Sequence, residues 1–227
     1  MVWIWVAAFV VLDGAVALVG GFLPDRWLIR HRPVMLGFAV GALLSVAAFD
    51  IVPDALAEGG AMVLVWLIAG IAVLATFDYL FETHGHHTHS IAYALLGSDA
   101  VHNFGDGIAI AAAFLHSTHL GIITSLAVLL HELPEELADY AILRESKLGK
   151  GKSLLWLAVV QMTAGLGAAL TLLGATLGSG HAVMLAIAGG TFVYIAVVEL
   201  LPDLVRGDDR IVALAALVAG AALIALL

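Results

Sequence analysis

The sequence predicts an all-α polytopic membrane protein, a single domain of eight transmembrane helices. Hydrophobic residues make up 63% of the chain and charged residues only 12%, against about 45–50% and about 25% in ordinary soluble domains. Apolar runs recur at close to the length of roughly 20 residues that a spanning helix requires. Most of the acids behind the formal charge of −9 fall inside those runs rather than between them. A chain of 227 residues has room for eight such crossings with short connections, and none for a sizeable soluble domain.

Breaks in the apolar pattern fall near Pro24 to Pro33, Glu58 to Gly60, Glu82 to Ser90, His116 to His119, Arg144 to Lys152, Ser179 to His181 and Arg206 to Arg210. They place the segments at 2–22, 34–57, 61–81, 91–115, 119–144, 153–178, 181–205 and 209–227. The first segment lacks the basic flank of a signal peptide and carries Asp13 in its core, so it reads as a retained helix. Asp13 has no motif around it, and a pathway role and a buried pairing are both open. Trp3, Trp5, Trp27, Trp66 and Trp156 lie mostly near segment ends, where interfacial anchoring accounts for them.

Every Lys and Arg lies in an odd-numbered connection: Arg26, Arg30 and Arg32 in the first, Arg144, Lys147, Lys150 and Lys152 in the fifth, Arg206 and Arg210 in the seventh. The positive-inside rule then puts those connections in the cytoplasm and both termini outside. Segments two and seven carry a repeat. GALLSVAAFDIVPDAL from Gly41 matches GTFVYIAVVELLPDLV from Gly190, pairing Asp50 with Glu199, Pro53 with Pro202 and Asp54 with Asp203. Because the two segments cross in opposite directions, the pattern is that of an inverted repeat, with segments one to three mirroring six to eight around a central pair. The competing reading is that acid-xx-Pro-Asp merely ends two helices.

The chemistry concentrates in the central pair. Segment four reads SDAVHNFGDGIAIAAAF and holds His102, Asn103 and Asp106; segment five reads TSLAVLLHELPEELADYAIL and holds His131, Glu132, Glu135 and Glu136. An acid at mid-membrane costs about 2.5–3.5 kcal/mol on insertion scales, which makes a cluster of them a functional feature. His102 and Asp106 share a helix face, as do His131 and Glu135. Antiparallel packing then brings His102 level with Glu135 and Asp106 level with His131, so that the four converge on one point. With no cysteine in the chain, two imidazoles and two carboxylates suit Zn²⁺, and also Fe²⁺, Mn²⁺ or Co²⁺. Asn103 and Glu132, one residue further round, are placed to hold a second ion with Glu135 shared. Pro134 removes one helical hydrogen bond, and Gly105 and Gly107 loosen the helix around Asp106.

Weaker features surround this site. Asp99, Glu136 and Asp139 outline an acidic exit, although helix-end acids reaching the interface explain Asp139 equally well. Asp50 and Glu199 offer one acid near the path from each half of the repeat. The connection THGHHTHS, with His84, His86, His87 and His89, has the look of a metal-gathering loop, and a soluble or pH-sensitive loop of no specific role is the alternative. His116, His119, His181 and Glu58 could draw cations to the outer mouth.

At HNFGDG and HELPEE the sequence resembles the ZIP family of zinc- and iron-regulated-transporter-like proteins, and the resemblance extends through the GTFVYIAVVELLPDL stretch. It implies eight helices in a 3+2+3 arrangement and transport of divalent metal toward the cytoplasm, with the metal as substrate and no separate cofactor. By that resemblance His102, Asp106, His131 and Glu135 match the primary transport ligands, and Asn103 and Glu132 an adjoining second site. Three departures stand out. Segment two reads Asp50-Ile51-Val52-Pro53-Asp54 where many relatives have His-Leu-Leu-Pro-Glu. Glu135 stands where eukaryotic members have a second His, which makes the site harder and widens the expected metals to iron, manganese, cobalt and cadmium. Segment six offers Gln161 and Met162 but no acid. With no long extracellular domain, the chain is similar to a small prokaryotic member of the plasma (inner) membrane. Divalent ions and lipid are its expected partners, a homodimer is an open option, and nucleic acid is not expected. An intramembrane zinc hydrolase is the alternative, weakened because Glu135 occupies the second His position of an HExxH helix.

Overall fold

A computed structural model describes residues 1–19, 22, 25–84, 88–145, 148–176, 180–207 and 209–227. His86 and His87, and the side chains of His84 and His89, lie outside the described residues.

The described chain is helical, without strands. Its helices are α1 (Val2–Val19), α2 (Asp25–Val46), α3 (Val52–Gly59), α4 (Val63–His84), α5 (Thr88–His116), α6 (Thr118–Glu145), α7 (Lys150–Thr176), α8 (His181–Tyr194), α9 (Leu201–Arg206) and α10 (Arg210–Ala225). A π-helical turn, Ala47–Ile51, joins α2 to α3, and another, Ile195–Leu200, joins α8 to α9. The stretch around Pro33 that the apolar pattern treats as a break is helical, with Pro33 inside α2, since a proline removes one hydrogen bond without having to end a helix. True turns occur at Gly60 and Gly180, whose φ values of 64° and 66° favour a residue without Cβ.

The burial pattern is that of a lipid-facing bundle. Leu166 on α7, Ile68 on α4 and Val218 on α10 are 60%, 62% and 66% exposed. Meanwhile Asp13, Asp99, His102, Asn103, Asp106, His131, Glu132 and Glu136 are buried. A water-soluble fold would reverse both sets. Among the described residues four stretches, Val2–Val19, Arg30–Leu80, Lys150–Thr176 and His181–Arg206, are long and apolar enough to cross a membrane. The five tryptophans are all exposed, as side chains anchoring in headgroups would be.

Helices α5 and α6 form the centre, with α1, α7 and α8 packed around α5 and with α1 and α2 against α6. Close approach is set by glycine. A Cβ on Gly41 would lie 2.0 Å from the Leu217 carbonyl oxygen, fastening α2 to α10; one on Gly190, its partner in the repeat, would lie 2.1 Å from the Leu67 oxygen, fastening α8 to α4. The two π-helical turns also fall at matched positions, each followed by the Pro-Asp pair of the repeat. Equivalent residues thus make equivalent irregularities and equivalent contacts, which exceeds what two helix ends with similar capping would produce.

Candidate metal site

His102 and Asp106 project from α5 into the interface with α6, where His131 and Glu132 meet them. His102 Nε2 lies 3.0 Å from His131 Nε2. Asp106 Oδ2 stands 3.2 Å from His131 Nε2 and 3.7 Å from His102 Nε2. His102, Asp106, His131 and Glu132 can each present a ligand atom within 4.8 Å of the others, and all four are buried. The i, i+4 spacing on each helix together with the antiparallel crossing produces this convergence.

The grouping differs from the expectation in one member. Glu132, not Glu135, completes the buried quartet. Glu135 Oε1 approaches the opposite edge of the imidazole, 3.1 Å from His102 Nδ1, where Glu199 Oε2 joins it at 3.4 Å. His102 therefore faces two acidic groups with its two nitrogens: Asp106 and Glu132 on one side, Glu135 and Glu199 on the other. Asn103 is turned away, donating from Nδ2 to the Asp99 carboxylate at 2.6 Å and leaving its own Oδ1 without a partner. Sequence spacing could not separate Glu132 from Glu135, because both lie within reach of the α5 face and the helix rotation decides between them.

Gln161 on α7 donates to Glu132 and, at 2.8 Å, to Glu136. An amide here holds two carboxylates in place, and Glu136 is turned toward it rather than into an exit. Asp13 is the residue that motif reasoning left unassigned. It is fully buried on α1 with both carboxylate oxygens unpartnered, within electrostatic reach of Asp106 and Glu132. The signal was an acid midway along an apolar run. Gly107 does not loosen α5; a Cβ there would stand 1.9 Å from the Ala164 oxygen, so its absence lets α5 and α7 touch and brings Gln161 to the site.

Acceptors outnumber donors around this cluster. Both oxygens of Asp106 and of Asp13, one each of Asp99, Glu135 and Glu136, and the side-chain oxygens of Asn103 and Gln161 make no hydrogen bond although buried. Among the described residues no Lys or Arg is buried. An excess of buried, unpaired carboxylate oxygen beside two imidazoles is a donor set that a divalent cation satisfies.

A cavity of about 440 Å³ starts at His102, Glu135 and Glu199 and runs past Asp99 and Asp139 to Arg32 and Asp203, at the end of the bundle that carries the basic residues. Arg32 pairs with Asp203 at 2.5 Å there. In the other direction α5 is closed, since Ala109 to Phe114 are each at most 3% exposed. Asp50 is half-buried and is not among the residues of the quartet; its ionisable neighbours are Asp54 and His119. His119 itself bonds the Leu227 carbonyl at 2.7 Å.

A sequence model of the ZIP zinc transporter family matches residues 80–227, the part that holds α5 to α10 and most of the cluster. Zinc transporter ZIP13 of Pongo abelii is 31% identical over 209 residues, covering 79% of this chain and 60% of that protein. Zinc transporter ZIP4 of Mus musculus is 40% identical over 120 residues, 53% of this chain and 18% of that protein. Zinc transporter SLC39A7 of Pongo abelii is 41% identical over 122 residues, 50% of this chain and 26% of that protein. The chain thus spans between 18% and 60% of the length of these relatives. With the match extending over the helices that carry the buried histidines and carboxylates, the chain belongs to the ZIP zinc transporter family.

Proposed function

We propose that this protein carries divalent transition-metal ions across a membrane, zinc foremost, through the cluster between α5 and α6. The observation that carries the reading is the buried His102–Asp106–His131–Glu132 quartet, with its unpaired carboxylate oxygens, at the head of an acidic cavity. The zinc-transporter names of the matched relatives agree with it and lend nothing to the hydrolase alternative. In this reading eight helices span the bilayer, both termini lie outside, and the inverted repeat frames the central pair.

The chemistry follows from the ligands. Two imidazole nitrogens and two carboxylate oxygens replace the hydration shell of a Zn²⁺ ion with bonds of about 2.0–2.2 Å, and the two negative charges offset the ion's own. Asp13 adds negative potential from α1. His102 offers a route onward: turning its Nδ1 edge to the ion hands it to Glu135 and Glu199, which open on the cavity, from where Asp99 and Asp139 lead it out. Glu136 and Asn103 act as supports rather than ligands, through Gln161 and Asp99. The closed run from Ala109 to Phe114 corresponds to an inward-open state, and alternating access requires that it part.

Purified protein in sealed vesicles containing a zinc-sensitive dye tests this. The parent should show protein-dependent zinc entry, and His102→Ala and Glu132→Gln should each abolish it while inserting normally. Parent-level flux in both variants would refute the site, and absence of flux in the parent would favour a non-transporting metal binder.

A further inference from the structure

A second group of histidines and carboxylates lies at the end of the bundle away from the cavity. Glu58 sits near the end of α3, His116 is the last residue of α5 and His181 the first of α8. Ten residues of α5 separate His116 from Asp106, about 15 Å at 1.5 Å per residue, so no ion could be shared with the quartet.

The arrangement is specific. Glu58 Oε1 lies 2.8 Å from His116 Nδ1 and Oε2 lies 2.8 Å from His181 Nδ1. The other nitrogen of each ring is also engaged: His116 Nε2 with Asp54 Oδ2 at 3.1 Å, His181 Nε2 with the Ala112 carbonyl oxygen at 2.9 Å. The rings lie parallel, 9° apart, with centroids separated by 5.7 Å. A neutral imidazole has one N–H and one lone pair. Here all four ring nitrogens face acceptor oxygens, so with the Nε2 protons spent on Asp54 and Ala112, each Nδ1 lone pair would point at the Glu58 carboxylate. Only a cation between them, a proton on each ring or one metal ion for both, makes the contact attractive. Outer acceptors that fix the tautomer of each histidine are the arrangement found around metal-bound imidazoles.

We propose that Glu58, His116 and His181 form a second divalent-metal site, distinct from the transport cluster, taking a borderline cation such as Zn²⁺, Co²⁺ or Cd²⁺. His116 Nδ1, His181 Nδ1 and the Glu58 carboxylate are the ligands, Asp54 and the Ala112 carbonyl orient the rings, and water fills the remaining position. The ligand atoms already lie within 4.8 Å of one another. Tetrahedral zinc spaces its ligands by roughly 3.3 Å, so the present 2.8 Å contacts need open by only a few tenths of an ångström. The side chains are 25–36% exposed and free to make that adjustment. An ion bound there ties α3, α5 and α8 together at the end where metal would enter.

Equilibrium dialysis of the purified full chain against Zn²⁺ at neutral pH provides the test. In a background carrying His102→Ala, His131→Ala and Glu132→Gln, which disables the inner ligands on both sides of His102, and with His84, His86, His87 and His89 also replaced by alanine, one equivalent of zinc should remain bound. Adding His116→Ala and His181→Ala should remove it, and Asp54→Asn should weaken it about 10–100-fold without changing the count. A background that binds no zinc, or one whose zinc survives loss of both histidines, overturns the proposal. Should that background fail to fold by circular dichroism and gel filtration, Glu58→Gln in the otherwise native chain decides: it should lower the bound zinc by one equivalent, and an unchanged count overturns the site. Vesicle flux through the inner quartet is measured separately and does not depend on the outcome.

Discussion

Gly105 and Gly107 flank Asp106 on α5 and are indistinguishable by sequence reasoning, yet the packing predicts opposite responses to alanine. A Cβ on Gly107 would meet the Ala164 carbonyl oxygen at 1.9 Å, its carbon at 2.7 Å and its Cα at 2.9 Å. Ordinary contact begins near 3.4 Å, so α5 and α7 must part by about 1.5 Å, against backbone that has no rotamer to yield. Overpacking of this kind costs roughly 1–3 kcal/mol. It also withdraws Gln161, on α7 beside Ala164, from Glu132 and Glu136. Gly105 is different: its Cβ would find only Thr191 Cγ2, at 3.7 Å, an ordinary contact. Alanine there should be neutral or gain up to about 1 kcal/mol from helix propensity. Thermal unfolding in detergent and zinc flux in vesicles, run on both variants, give the comparison. Gly107→Ala should melt several degrees lower and transport poorly, and Gly105→Ala should match the parent. Equal melting temperatures for the two would refute the close approach of α5 and α7.

Gln161→Leu, which keeps the bulk but removes the donor shared by two buried carboxylates, should lower stability by about 1–3 kcal/mol and reduce zinc flux; an unaltered melting curve would show that Glu132 and Glu136 do not depend on it. Arg32→Ala breaks an exposed pair, so melting should change by less than about 1 kcal/mol, while flux should change at low ionic strength and converge with the parent at high salt. Burial alone would raise the pKa of Glu58, but its bonds to His181 and His116 outweigh that and hold it below the ordinary value of 4.5. The stabilisation that depends on its ionised form is therefore lost as pH falls through the lowered value. The difference in melting temperature between the parent and Glu58→Gln should accordingly be present at about pH 5 and vanish in stronger acid, and a difference that survives in strong acid would contradict this sign.

Much of the protein was legible along the chain because the relevant physics is local. Apolar run length, acids at mid-run, basic connections and the i, i+4 spacing in HNFGDG and HELPEE depend only on helix geometry and the cost of charge in lipid. The repeat, too, was readable, since Gly41 and Gly190 or Asp50 and Glu199 stand in equivalent places. The sequence by itself thus determined the class of fold, the helices that carry the chemistry and the kinds of ligand available.

Tertiary structure decided how those helices are rotated and how near they come. Glu132 and Glu135 differ by 300° of helical turn at about 100° per residue, a small change of azimuth, and only the contact of α6 with α5 selects which joins Asp106 and which turns to Glu199. Gln161 and Asp13 reach the site, and Gly107 becomes a contact rather than a hinge, because α7 and α1 pack where they do. Glu58, His116 and His181 lie far apart in the chain and meet only where three helix ends converge. Such meetings are set by backbone-to-backbone approach between helices, a quantity that no spacing within one helix encodes.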